Sequence, residues 1–136
     1  MKICIVIANY YPQISKDLLS GAIKKLKKKG IKNYKVIHVN GIFEIPVVIS
    51  RNIKSHEAFL ALGCVIKGKT PHFNLISVAV TNAIMELSIR HKKPIGNGII
   101  SCLNKKQALK RSDPNKKNKG GEAAEAIFPV LKNESR

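Results

Sequence analysis

Four short apolar runs rich in β-branched residues alternate with longer stretches whose apolar residues recur every three to four positions. That alternation restricts the chain to helices packed on both faces of a parallel sheet. The runs cover residues 2–8, 35–39, 59–66 and 95–102, and the first is apolar almost throughout, as suits a strand buried on both sides. After the first run, Ser15 is placed to cap a helix. Its Leu18, Leu19, Ala22, Ile23 and Leu26 form one stripe, Lys27, Lys28 and Lys29 fill its last turn and Gly30 ends it. Gly41 predicts a turn after the second strand, and Pro46 suits the first turn of a helix reaching about Ile53. Leu75, Ile76, Ala79, Val80, Ala83, Ile84 and Leu87 predict a helix from Asn74 to about His91, closed by Pro94. Gly96 and Gly98 inside the fourth run imply close backbone approach. Asn104 is placed to cap a short helix through Arg111. Gly120 and Gly121 are expected to precede a last helix carrying Ala123, Ala124, Ile127 and Leu131, bent or shortened by Pro129. The order is βαβαβαβαα.

No linker, repeat or low-complexity segment divides the 136 residues, so one domain over residues 1–136 is expected, burying roughly two thirds of its unfolded surface. Cys4, Cys64 and Cys102 are odd in number and widely spaced, which excludes a disulfide framework and a paired-cysteine metal site and fits small apolar residues in a reducing cytosol. No apolar run approaches the ~20 residues of a membrane span, and Met1 leads within a few residues into a core strand, leaving no room for a signal peptide. A cytoplasmic protein away from membranes is expected. The net charge of +17 suggests a polyanionic partner, but arginine occurs only at positions 51, 90, 111 and 136, and aromatics, 5% of the chain, do not interleave with the lysine runs. The charge reads as a general bias toward Lys, Ile and Asn, and specific nucleic-acid binding is not expected.

In a parallel α/β sheet, ligands bind beyond the carboxyl ends of the strands. Those ends carry Asn9-Tyr10, Gly41-Ile42-Phe43-Glu44, the stretch from Cys64 to His72, and the neighbourhood of Asn97. Lys69 and Thr70, just before a helix start, read either as a phosphate site or as an ordinary capped turn. Nucleotide-binding fingerprints are absent. His72 reads as a proton shuttle or as a helix-start residue. His38 is expected in the core, and His56 and His91 in solvent. Glu44 reads as a carboxylate complementing a helix N-terminus or as an acceptor for a polyol. Arg111 and Lys119 read as helix-dipole complements or as an anion clamp. No His, Cys or carboxylate set has metal-ligand spacing.

Three segments in fixed order are far more specific than any one residue. They are Gly-Ile-Phe-Glu-Ile-Pro at 41–46, Leu-Gly-Cys-Val-Ile-Lys-Gly-Lys-Thr-Pro-His-Phe at 62–73, and Gln-Ala-Leu-Lys-Arg followed by Asn-Lys-Gly-Gly-Glu-Ala-Ala at 118–124. Over nearly its whole length the chain resembles the 6,7-dimethyl-8-ribityllumazine synthases of riboflavin biosynthesis. The resemblance implies a three-layer α/β/α sandwich, flavodoxin-like in outline, with a four-stranded parallel sheet. It implies a transferase that joins 5-amino-6-(D-ribitylamino)uracil to 3,4-dihydroxy-2-butanone 4-phosphate, releasing phosphate and water through an imine, with no cofactor. By the same resemblance His72 donates and accepts protons and Tyr10 stacks on the pyrimidine. Ile42, Phe43, Glu44, Cys64, Val65, Ile66 and Asn97 hold the uracil edge and ribityl chain. Lys69, Thr70 and Arg111 hold phosphate, and Lys119 and Glu122 are secondary contacts. A homopentamer with sites between subunits is implied as the minimum assembly; some members join twelve such rings into a larger shell, and the resemblance leaves open whether this chain does.

The chain also departs from the family pattern. Asn9-Tyr10-Tyr11 stands where many members have an Arg-Phe-Asn type triplet, Ile42 where serine or alanine is common, and Asn97 where an aromatic is common. A related riboflavin synthase, a flavin or lumazine carrier and a basic nucleic-acid module are the competing readings.

Overall fold

The computed structural model describes residues 1–68 and 72–133. The elements are β1 (Ile3–Ala8), α1 (Pro12–Lys28), β2 (Tyr34–Val39), a 3₁₀ turn (Ile42–Glu44), α2 (Ile45–Arg51), β3 (Ala58–Ile66), α3 (His72–His91), β4 (Ile95–Cys102), α4 (Lys105–Ser112) and α5 (Lys119–Lys132). The strands form one parallel sheet in the order β2-β1-β3-β4. From β1 the chain steps outward to β2, then returns past β1 to build β3 and β4. The order therefore reverses between β1 and β3, and that is where such a sheet opens a crevice beyond its strand ends.

Side-chain alternation along β1 divides the interior. Ile3, Ile5 and Ile7 join Leu60 and Leu62 of β3 under α1, α4 and α5, with Leu18, Ala22, Leu26, Ala108, Ala124 and Ile127 completing that core. Cys4, Val6 and Ala8 face the other way with Phe59 and Ala61, covered by Ile45 and Ile49 of α2 and by Val80 and Ile84 of α3. The result is a three-layer α/β/α sandwich.

Several local expectations are corrected. Helix α1 begins at Pro12, with Tyr11 as its N-cap, so Ser15 lies inside the helix. Pro12 is preset for a first helical position, and the buried Ser15 hydroxyl donates instead to Ala8 O at 2.6 Å, tying the helix to the end of β1. Gly120 and Gly121 lie within the first turn of α5, and the helix runs through Pro129 to Lys132. The glycines bring backbones together: a Cβ at Gly120 would strike the carbonyl of Leu18 in α1, and one at Gly96 the carbonyl of Ala123 in α5. His38 is exposed on the edge strand β2, where its Nδ1 lies 2.9 Å from the Asn9 side-chain amide. His56, by contrast, is buried beneath the entry to β3, with Nδ1 2.9 Å from Ser55 Oγ and its ring against Phe59. His91 is exposed at the end of α3, as expected.

Helix α3 also departs from expectation. At 20 residues it is long and apolar enough, by length and composition, to cross a membrane. It rests on the sheet through Val80 and Ile84, while Leu75, Val78, Met85 and Ile89 face outward from the single chain.

Candidate active site at the sheet switch point

A cavity of about 480 Å³ opens at the carboxyl ends of β1 and β3. Its walls are Tyr10 and Tyr11 from the β1–α1 junction, residues Asn40 to Glu44 after β2, Cys64 and Val65 near the end of β3, and Ile76 of α3. Each wall has a local cause. Strand β1 ends at Ala8, and Pro12 starts a helix that turns the chain away, which leaves Tyr10 71% exposed at the rim. After β2 the chain folds into the 3₁₀ turn, where Glu44 Oε1 accepts from Gly41 N at 2.9 Å. Glu44 thus satisfies the turn with one oxygen while remaining exposed. The turn buries Ile42 against the sheet and leaves Phe43 66% exposed, lining the same cavity as Tyr10.

The sequence-derived residues divide into two sets. Tyr10, Ile42, Phe43, Glu44, Cys64 and Val65 line one cavity. Ile66 does not, because it packs against the core under α1 and α4. His72 begins α3 and is exposed. It precedes Ile76 by four residues, so it lies on the same helical face about 6 Å along the axis, at the edge of the α3 wall. Lys69 and Thr70 fall outside the described residues. Asn97 sits midway along the edge strand β4, paired with Ala61, and its Oδ1 accepts from Ile99 N at 3.0 Å. Arg111, in the last turn of α4, donates from Nη1 to Ser101 O at 3.0 Å. Lys119 and Glu122 pair at 3.2 Å on the first turn of α5. None of these last four lines the cavity around Tyr10.

Tyr11, Asn40, Gly41 and Ile76 line the cavity without having been singled out as site residues. Tyr11 had a usable signal: a second aromatic squeezed between a rim residue and a helix-starting proline has little freedom to point elsewhere.

The electrostatics of the walls are simple. Burial pushes the Cys64 thiol up to about 12, with Cys102 adding to the effect, so Cys64 is a neutral wall and not a nucleophile at physiological pH. Burial also raises Cys4 to about 11, against a slight opposing pull from Lys35. Both native values lie above those of an unfolded chain, so the stability these thiols contribute is complete below about pH 9 and is lost as pH rises toward their native values. Thermal unfolding followed from pH 8 to 11 should show a steeper alkaline loss in the parent than in Cys4→Ala/Cys64→Ala, by up to about 1.4 kcal/mol per pH unit for each thiol. Parallel curves would remove the thiols from the alkaline limit. Among the described residues no three His, Cys, Asp or Glu side chains cluster as metal ligands.

Comparison with known proteins identifies the family. The 6,7-dimethyl-8-ribityllumazine synthase family model matches residues 1–134. The chain is 39% identical to 6,7-dimethyl-8-ribityllumazine synthase 1 of Rhodopseudomonas palustris, covering 96% of this chain and 84% of that one. It is 40% identical to the synthase of Bartonella bacilliformis over 93% and 86% of the two chains, and 39% identical to that of Nitrobacter hamburgensis over 94% and 82%. With its cavity at the sheet switch point and relatives alike over most of their length, the chain belongs to the 6,7-dimethyl-8-ribityllumazine synthase family.

Proposed function

We propose that this protein condenses 5-amino-6-(D-ribitylamino)uracil with 3,4-dihydroxy-2-butanone 4-phosphate to give 6,7-dimethyl-8-ribityllumazine, phosphate and water in the cytoplasm. The observation that carries the reading is the cavity at the β1/β3 switch point, where two exposed aromatics, Tyr10 and Phe43, meet the turn after β2 and an uncharged strand end. A flat heteroaromatic ring fits against the open face of Tyr10, with backbone groups of residues 41–44 and 64–65 at its edge. The substrate amine attacks the ketone and loses one water to form an imine, phosphate is eliminated, and the ribitylamino nitrogen closes the second ring on the remaining carbonyl with loss of a second water. Holding two polar molecules in line supplies much of the acceleration, and His72, one helical turn before Ile76 on α3, is assigned the proton transfer. No cofactor enters the scheme. Lys69, Thr70 and Arg111 are assigned to the phosphate.

The active form is a homopentamer in which each site is shared between neighbours. Two observations support this. Asn97, Arg111, Lys119 and Glu122 lie away from the cavity of their own chain, and α3 presents outward an apolar face that a neighbouring subunit would cover. Covering that face also accounts for the apolar length of α3 without a membrane.

Arg111 offers a charge-assisted, fork-like contact that no neutral side chain replaces. Arg111→Ala is therefore expected to raise the KM for the butanone phosphate roughly ten-fold or more while changing the pyrimidine KM little. Equal weakening of both substrates in a folded assembly would make Arg111 structural. Sharing can be tested with the same variant. With butanone phosphate well below the parental KM, where each variant alone is slow, Arg111→Ala and His72→Ala chains refolded together in equal amounts should regain about a quarter of parental activity, because that share of sites receives both intact residues from different subunits. An activity equal to the mean of the separate variants would place the whole site within one chain.

A further inference from the structure

The proposed stacking of the pyrimidine on Tyr10 leaves a physical problem. Tyr10 is 71% exposed, and an aromatic ring that free to rotate loses rotamer entropy when a ligand fixes it. Its aromatic neighbour is Tyr11, whose ring centroid lies 4.9 Å away at an interplanar angle of 71°, an edge-to-face arrangement. Tyr11 is itself well anchored. Pro12 restricts its backbone to an extended conformation, observed at φ −114° and ψ 93°, and its carbonyl accepts from Ser15 N at 2.9 Å. Ser15 is tied in turn to Ala8 O. The Tyr11 ring packs against the core under α1 and lines the cavity beside Cys64. Its side chain makes no capping hydrogen bond to α1, so its contribution is not that of a helix cap.

We infer that Tyr11 is a positioning residue. It holds the Tyr10 ring through their edge-to-face contact, so that the ring is already oriented for the pyrimidine before the ligand arrives, an inference that rests on the stacking role given to Tyr10. Such a device sets affinity for the heteroaromatic substrate and leaves the butanone phosphate untouched.

The test compares Tyr11→Leu, Tyr11→Phe, Tyr10→Leu and the Tyr10→Leu/Tyr11→Leu pair in the assembled enzyme, with KM measured separately for each substrate. Tyr11→Leu should raise the pyrimidine KM roughly three- to ten-fold, with kcat and the butanone phosphate KM within about two-fold of the parent. Tyr11→Phe, which keeps the ring edge, should restore the parental pyrimidine KM. In the Tyr10→Leu background, adding Tyr11→Leu should change little, since there is no ring left to hold. Tyr11→Met, of similar volume, serves if the leucine variant does not assemble. The inference is overturned if Tyr11→Phe is as damaging as Tyr11→Leu, which would assign the effect to the hydroxyl, or if the two leucine changes act independently. An unchanged pyrimidine KM in Tyr10→Leu would overturn the stacking role itself and the inference with it.

Discussion

His72→Ala should slow lumazine formation by about 10²- to 10⁴-fold, the usual weight of a proton-transfer group, and still leave activity well above the uncatalysed reaction. The residual rate is expected because binding both substrates in line does not depend on the imidazole. Pyrimidine binding should be unaffected, since the cavity walls around Tyr10 and residues 41–44 remain in place. The pH profile separates this role from a structural one. Histidine is the side chain that ordinarily changes charge between pH 5 and 8, so the rate of the parent should vary across neutrality and the variant should lose part of that variation. Unchanged turnover and an unchanged profile in a folded assembly would reduce His72 to a helix-start residue.

The largest expected effect on stability comes from Gly120→Ala. An added methyl at this position meets the backbone of Leu18, with its carbonyl carbon at 2.8 Å and Cα at 3.0 Å, and neither can rotate away as a side chain could. Helix α1 or α5 must shift, opening the core formed by Leu18, Ala22, Ala124 and Ile127. Overpacking of this kind costs about 3 kcal/mol, and in a domain of this size that lowers the melting temperature by about 10 °C. Gly30→Ala is the useful contrast. Gly30 has φ +80° and no neighbour within 4 Å, so the substitution meets backbone strain alone, about 1 kcal/mol. Equal losses in the two variants would mean that the α1–α5 contact yields more easily than its geometry implies.

The order of strands and helices was legible because burial leaves a period in the sequence. The continuous apolar runs of β1 and β3 became the inner strands of the sheet, covered on both faces, and the Leu18, Ala22 and Leu26 stripe became the buried side of α1. Helix ends were less legible, since several residues compete for one role. Ser15 has the chemistry of a cap, but Pro12 fixes an earlier start and leaves the Ser15 hydroxyl to bind Ala8. Gly120 and Gly121 resemble a break before a helix, whereas their use, close passage of α5 against α1, is a tertiary fact that no local pattern carries. The two misplaced histidines have the same origin. Whether His38 or His56 is covered depends on which strand lies at the sheet edge, and strand order follows from packing.

The candidate site was legible to a similar degree. Residues at the ends of β1 and β3 and in the turn after β2 converge because parallel strands deliver their carboxyl ends to one rim, and Tyr10, Phe43 and Cys64 duly share a cavity. Tyr11 was passed over because its use depends on the angle between two rings. Ile66 was included with the family segment it matches, yet it packs against the core on the same side as Cys64 and does not line the cavity. The helical stripe from Leu75 to Leu87 on α3 reads as an ordinary core stripe in one dimension, and only the folded chain shows that Leu75 is exposed and that Val78, Met85 and Ile89 add an outward apolar face beside it.

The most direct measurement is to incubate the purified protein with 5-amino-6-(D-ribitylamino)uracil and 3,4-dihydroxy-2-butanone 4-phosphate, following lumazine absorbance and inorganic phosphate in the same sample. One phosphate should appear for each lumazine formed, at a rate that falls in His72→Ala. A tightly held yellow ligand with no phosphate released in the folded parent assembly would contradict the proposed reaction and mark the cavity as a carrier site.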